Sequence, residues 1–195
     1  RLNGTNWEQL GSTIYGQPKE EIGRTLSFSG NGTRLAYSAR LSSTNTVVRV
    51  HEFASNNWRQ LGPEINSDVS KNEFGASICL NSTGDRIAIS APDNSSTETG
   101  RLSGRVRVYG LLGNNWYRVS NNIDGDSTVN DEDFGASVYL NASGSRVVIG
   151  SPGSKSVEVY DITAGELVTE LWCIGENTNG KFGGVQGSNT NNSFL

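Results

Sequence analysis

Short apolar runs, broken at regular intervals by polar turns, recur along this chain. Ala76-Ser77-Ile78-Cys79-Leu80 and Ala136-Ser137-Val138-Tyr139-Leu140 have the length and β-branched content of strands. Each is followed by a turn, Asn81-Ser82-Thr83-Gly84 or Asn141-Ala142-Ser143-Gly144, in which the glycine supplies a positive φ. A second strand comes next, Arg86-Ile87-Ala88-Ile89-Ser90 or Arg146-Val147-Val148-Ile149-Gly150. The third, Val106-Arg107-Val108-Tyr109, alternates apolar and charged positions, as a strand with two unlike faces does. A fourth strand carries a tryptophan and is entered through a short turn, Ser55-Asn56-Asn57 or Gly113-Asn114-Asn115.

The four pieces occur three times in one order. Trp7-Glu8-Gln9-Leu10-Gly11 matches Trp58-Arg59-Gln60-Leu61-Gly62 and, more loosely, Trp116-Tyr117-Arg118-Val119-Ser120. Ile22-Gly23, Phe74-Gly75 and Phe134-Gly135 also correspond, and twelve residues after the apolar member of each pair stands an arginine, Arg34, Arg86 or Arg146. The third strands are Val48-Arg49-Val50-His51, Val106-Arg107-Val108-Tyr109 and Val157-Glu158-Val159-Tyr160. Antiparallel four-strand units at this period predict an all-β chain of β-propeller-type blades, about three complete and a fourth in part. Counted from tryptophan to tryptophan, the units are 7–57, 58–115 and 116–171, with a partial one at 172–195, in a single repeat domain. The connection between second and third strands varies most between copies, which places sequence diversity on one rim.

The Phe-Gly pairs, together with Ile89-Ser90-Ala91-Pro92 and Ile149-Gly150-Ser151-Pro152, resemble FG-GAP-type propeller repeats such as those of integrin α-chains. The fuller pattern is similar to tandem repeats in large secreted proteins of aquatic microbes and algae. Integrin-type repeats hold calcium in a loop of spaced carboxylates, whereas Leu80-Asn81-Ser82-Thr83-Gly84-Asp85 offers one carboxylate. Calcium is therefore not expected in these loops.

Composition narrows the function. Hydrophobic residues are 34% of the chain and glycines number 24, which suits many turns and few helices. A net charge of −4 argues against nucleic-acid binding, and no apolar run is long enough to predict membrane insertion. The chain starts at Arg1 and has no methionine, so a processed product or a segment of a larger protein is expected. Two cysteines, Cys79 and Cys173, are too few for a disulfide scaffold, and their places on first and last strands predict that they are not bonded to each other.

Candidate chemistry is sparse. Asp124, Asp126 and Asp131 form the densest acidic patch, a weak metal candidate whose spacing fits no EF-hand and whose position fits a solvated inter-blade loop. His51 is the sole histidine and aligns with Tyr109 and Tyr160, which points to an aromatic packing position and leaves no histidine pair for zinc or a catalytic triad. Trp7, Trp58 and Trp116 recur at one position, as do Phe74 and Phe134 and the three arginines, so packing and structural hydrogen bonds are expected of them. Asn-x-Ser/Thr sequons stand at Asn3, Asn31, Asn81, Asn94, Asn141 and Asn191. Their turn positions predict N-linked glycans, on Asn81 and Asn141 first, then Asn94 and Asn31. No catalytic residue, metal or other cofactor is expected.

These features predict a non-catalytic extracellular structural or adhesive repeat protein, secreted or at the cell surface, possible as a subunit of a glycosylated filament. Its partners would be other copies of itself, further repeats of the same polypeptide, or extracellular glycans and proteins. Two other readings remain: a ligand-binding propeller of a receptor-like ectodomain, and a non-catalytic part of a carbohydrate-active enzyme. Three and a fraction blades leave sheet edges and faces open, so completion by further blades or by neighbouring copies is expected.

Overall fold

A computed structural model describes residues 2–67, 73–93, 103–126, 133–162 and 166–172. Every regular element among them is a strand: β1 (Leu2–Asn3), β2 (Asn6–Trp7), β3 (Glu21–Phe28), β4 (Arg34–Ser42), β5 (Asn45–Ala54), β6 (Asn57–Gln60), β7 (Ile65–Asn66), β8 (Ile78–Leu80), β9 (Arg86–Ala91), β10 (Arg105–Leu112), β11 (Asn115–Arg118), β12 (Ile123–Asp124), β13 (Ser137–Leu140), β14 (Arg146–Ser151), β15 (Ser156–Asp161) and β16 (Glu166–Trp172).

Three antiparallel meanders result, in the orders β3-β4-β5-β6, β8-β9-β10-β11 and β13-β14-β15-β16. In the first two the outer strand comes in two pieces, because β7 also pairs with β5 and β12 with β10. The tryptophan strand closes each of these two sheets, Phe53 opposite Trp58 and Leu111 opposite Trp116. A unit counted from tryptophan to tryptophan thus begins on the outer strand of one sheet and runs into the next. Ser55 and Asn56 both have positive φ, as a two-residue primed hairpin turn requires. Trp172 does not share the position of the earlier tryptophans, since it pairs with Ser156 at the far end of β15. Residues 173–195 of the partial unit, Cys173 among them, lie outside the described residues.

The core lies between the sheets, where apolar side chains from facing strands interlock. Ala36, Val48 and Val50 of the first sheet meet Ile78, Leu80, Ile87 and Ile89 of the second. Ala88, Val106 and Val108, on the second sheet's other face, meet Val138, Leu140, Val147 and Ile149 of the third. The middle sheet is therefore covered on both sides. The alternation in Val106-Arg107-Val108 does not separate a core face from a solvent face: Arg107 is buried as well. Its guanidinium donates to Asn122 Oδ1 at 3.0 Å, which offsets part of the cost of burial.

Cys79 is a free thiol buried on β8, and burial pushes its pKa up. Its Sγ accepts the Leu140 amide of the next sheet at 3.3 Å. Alkylation of Cys79 in the native protein is expected to be at least about tenfold slower than in urea, because the thiolate is disfavoured and screened from reagent. Timed labelling with mass spectrometry measures this, and equal rates in the two states would remove the buried thiol. Non-reducing peptide mapping should also recover no Cys79–Cys173 linkage.

Candidate functional site

The strand registers set up two unlike rims. Phe28 opposite Leu35, Arg34 opposite Glu52 and Ala54 opposite Asn57 end together at one of them. Glu21 opposite Arg40, Ser42 opposite Asn45 and Val47 opposite Asn66 end together at the other.

The first rim is built from the repeated residues. Arg34 donates to the Gly84 carbonyl of the next sheet at 3.3 Å, and Arg86 donates to the Gly144 carbonyl at 3.0 Å. A β-carbon at Gly84 would lie 2.8 Å from the Arg34 chain, so this glycine meets both a φ of +69° and a close approach. Arg34 also pairs with Glu52 at 3.0 Å. Arg146 has no described neighbouring sheet to reach and its side chain is 57% exposed.

The tryptophans form a second repeated contact. Trp58 Nε1 donates to the Leu10 carbonyl at 2.9 Å, and Trp116 Nε1 to the Leu61 carbonyl at 3.0 Å. Each indole covers the glycine after that leucine, Gly11 or Gly62, where a β-carbon would stand 3.1–3.2 Å from the ring. This explains the Trp-x-x-Leu-Gly motif: its Leu-Gly end in one repeat receives the tryptophan of the next. Val119-Ser120 breaks the motif, and the third sheet has no tryptophan at the matching register. Trp7 stands 84% exposed, unlike its two counterparts.

Along the inner strands, the Ser27 hydroxyl accepts the Leu80 amide at 2.8 Å, as Cys79 Sγ accepts that of Leu140. Phe74 and Phe134 are buried between sheets. The glycines after them rest on the preceding sheet: β-carbons would meet Ser38 and Val48 at 3.2 Å from Gly75, and Ser90 at 2.9 Å from Gly135.

The sequons divide by burial. Asn31 is exposed, and its Oδ1 accepts from Ser29, from the Thr33 amide and from the Thr33 hydroxyl. Asn3 is exposed and donates to Glu8. Asn81 is only 3% exposed, which corrects the reading that its turn projects the amide into solvent. Its Nδ2 donates to Thr83 and Asp85 while its Oδ1 accepts the Arg86 amide, so the side chain anchors the turn from within. Asn141 does the same through Ser145 and Arg146 and is half-buried. Asn81 and Asn141 occupy the place of buried Ser29, whose hydroxyl accepts the Arg34 amide. Asn94 and Asn191 lie outside the described residues.

The acidic patch is engaged by an arginine. Both carboxylate oxygens of Asp124 take hydrogen bonds from Arg105. Asp126 is described but Asp131 is not, and among the described residues no three His, Cys, Asp or Glu side chains cluster as a metal site would require. Asp85 is drawn into its turn: burial pushes its pKa up, but hydrogen bonds from Thr83 and Asn81 outweigh this and hold it below the usual value. His51 lies against Tyr37 with ring centroids 5.3 Å apart. Burial, then the Arg49 charge, lower its pKa and favour the neutral ring.

A polar cluster that motif reading passes over lies at the second rim. Arg49 forms two hydrogen bonds of 2.9 Å with Glu20 and one of 3.2 Å with Glu64. These contacts from Arg49, with the Gln17 amide second, lower the Glu20 pKa from 4.5 to about 2. Because the folded value is depressed, the stabilisation is complete above about pH 4.5 and fades as pH falls toward 2. Glu20→Gln is expected to flatten the acid limb of the stability curve in that window, as read by urea unfolding at stepped pH. Parallel curves for the two proteins would remove Glu20 as its source. The signal for this cluster was the arginine repeated within an apolar strand.

The second rim also holds a cleft of about 390 Å³ between the first two sheets, with Arg24, Arg40, Ser43, Thr44, Glu73 and Asp93 in its lining. It combines both charge signs with hydroxyls, which suits hydrogen bonding to a polar ligand. It lies where the connections between second and third strands differ most between copies.

No protein-family model matches the chain. A putative F-box protein of Arabidopsis thaliana is 36% identical over 56 residues, which are 29% of this chain and 15% of that protein. The C-terminal WD40 domain of Sif2 superposes with a TM-score of 0.50 at 12% identity, over 77% of this chain and 37% of that one. The β-propeller domain of the trilobed protease from Pyrococcus furiosus gives 0.48 at 12% identity, over 77% and 42%. The chain thus spans less than half the length of these solved structures. The fold is that of β-propeller blades, which fixes an architecture and leaves activity to be argued from the site.

Proposed function

We propose that this chain is a non-catalytic repeat segment of an extracellular propeller protein of FG-GAP-like type, with a structural or adhesive role. The observation that carries it is where the recurring residues go. Arg34, Arg86, Trp58, Trp116, Gly75 and Gly135 are all committed to joining one sheet to the next. Recurrence here builds a scaffold, and the connection that varies most between copies lies at the rim that bears the cleft. Asn31 and Asn3, the exposed sequons among the described residues, are acceptors for N-linked glycans in this reading, and no metal or other cofactor is needed. Partners are further repeats or copies of the chain and extracellular glycans or proteins.

Glycopeptide mapping of native material tests the compartment, with occupancy at Asn31 or Asn3 expected. Unmodified asparagines throughout would remove the glycosylated extracellular part. A glycan and protein array tests adhesion directly. Turnover of a glycoside or ester that is lost in Asp124→Asn or Asp126→Asn would overturn the non-catalytic assignment.

A second reading, a ligand-binding propeller of a receptor-like ectodomain, is favoured by the mixed-charge cleft. It expects a soluble ligand whose binding weakens in Arg24→Ala or Asp93→Ala.

A further inference from the structure

The first sheet has one face toward the second sheet and an opposite face that carries Leu26 and Phe28. Leu26 is 62% and Phe28 51% exposed. Their counterparts, Ile78 and Leu80 in the second sheet and Val138 and Leu140 in the third, are 2–8% exposed because a preceding sheet covers them. The glycines agree. Gly75 and Gly135 press on the sheet in front, whereas a β-carbon at Gly23, with φ +81°, would meet nothing within 4 Å. Gly84 and Gly144 receive an arginine, whereas around Gly32 only its own sheet's Phe28 is near. Part of a preceding blade is already present: β1 and β2 place Leu2 opposite Trp7 and Asn3 opposite Asn6, the register of Phe53–Trp58 and Ala54–Asn57. The segment leading from β2 accepts Trp58 through the Leu10 carbonyl.

We propose that this face is the docking site for a further blade of the same repeat, whose third strand runs on into β1 and whose outer strand is β2. The inference rests on the scaffold reading above and specifies the partner. The two sheet junctions already described dictate its chemistry: an arginine for the Gly32 carbonyl, a serine or cysteine on its inner strand for the Phe28 amide, and a Ser and Val pair against Gly23. The third sheet of a second copy is a poorer match. It has Tyr139 where Ser27 and Cys79 accept the next amide, and it brings its own outer strand, β16, to a place that β2 fills.

The test supplies the blade within the full chain. Residues 73–110 are joined directly to Leu2, so that Gly110 runs into Leu2 as it natively runs into Leu111. A second graft carries residues 21–52 in the same place. Hydroxyl-radical footprinting of Leu26 and Phe28 is expected to fall at least about fivefold, and amide exchange at Phe28 to slow at least about tenfold. Gly23→Ala, mild in the ungrafted chain, should become as destabilising as Gly75→Ala. Unchanged exposure of Leu26 and Phe28 in both grafts would overturn the proposal. So would a concentration-dependent dimer of the ungrafted chain that protects the two residues, since it would assign the face to a second copy. Neither readout depends on adhesion or glycosylation, so failure here is distinct from failure of the function proposed above.

Discussion

Phe134→Ala is expected to destabilise the protein by about 3–5 kcal/mol, the range for emptying a well-packed aromatic site. Phe134 is fully buried between the second and third sheets. It meets Tyr160 edge to face with centroids 6.5 Å apart, and it forms a parallel bridge with Gly104. The neighbours come from two sheets and from a glycine whose missing side chain makes room: a β-carbon at Gly104 would lie 2.2 Å from the Phe134 carbonyl oxygen. Collapse around the cavity would require the sheets to move together, which the repeated hydrogen bonds between them resist. Ile22 holds the corresponding position in the first repeat, but it is only half-buried, against Tyr37. Ile22→Ala should cost only about 1 kcal/mol, from partial loss of apolar burial. Urea unfolding of the two variants provides the comparison. Equal losses would mean that the first sheet's outer face is as well covered as the junctions between sheets, and the asymmetry described above would be wrong.

Gly135→Ala has the next largest expected effect, about 3 kcal/mol. Two penalties combine there. The φ of +91° is a left-handed conformation that costs an L side chain about 1–2 kcal/mol. The added methyl would also press on Ser90 at 2.9 Å and Val106 at 3.1 Å, and overpacking of this kind costs about 1–3 kcal/mol. Gly75→Ala should behave similarly, with slightly longer approaches to Ser38 and Val48. Gly23→Ala has the backbone penalty alone and should cost about 1 kcal/mol. The three substitutions are chemically identical, so their differences isolate the contact with the preceding sheet. Thermal unfolding of the set measures it, and three equal shifts would show that backbone strain accounts for the whole effect.

The sequence by itself determined the strands, their order and the turns between them. Those features are local: alternation of side chains along Val106-Arg107-Val108, positive-φ glycines at Gly84 and Gly144, and a primed turn at Ser55-Asn56 depend on residues a few positions apart. Repetition extended that reading to the propeller architecture, because residues kept at one offset in several copies point to one shared packing arrangement. Tertiary structure decided what each repeated residue touches. Asn31 and Asn81 look alike as sequons in equivalent-seeming turns, yet one is exposed and the other anchors its turn from inside. Arg107 reads as a charged outer face and is buried, since its sheet is packed on both sides. Trp7 holds the same repeat position as Trp58 and Trp116, but no described neighbour covers it. For Asn31 and Asn81 the difference is one of register, since Asn81 stands five residues before Arg86 and Asn31 three before Arg34. For Arg107 and Trp7 the outcome depends on whether another sheet or strand segment, distant along the chain, is stacked against that position. Side-chain identity and local spacing carry no record of that contact; burial, hydrogen-bond partners and open faces arise only when the sheets are placed side by side.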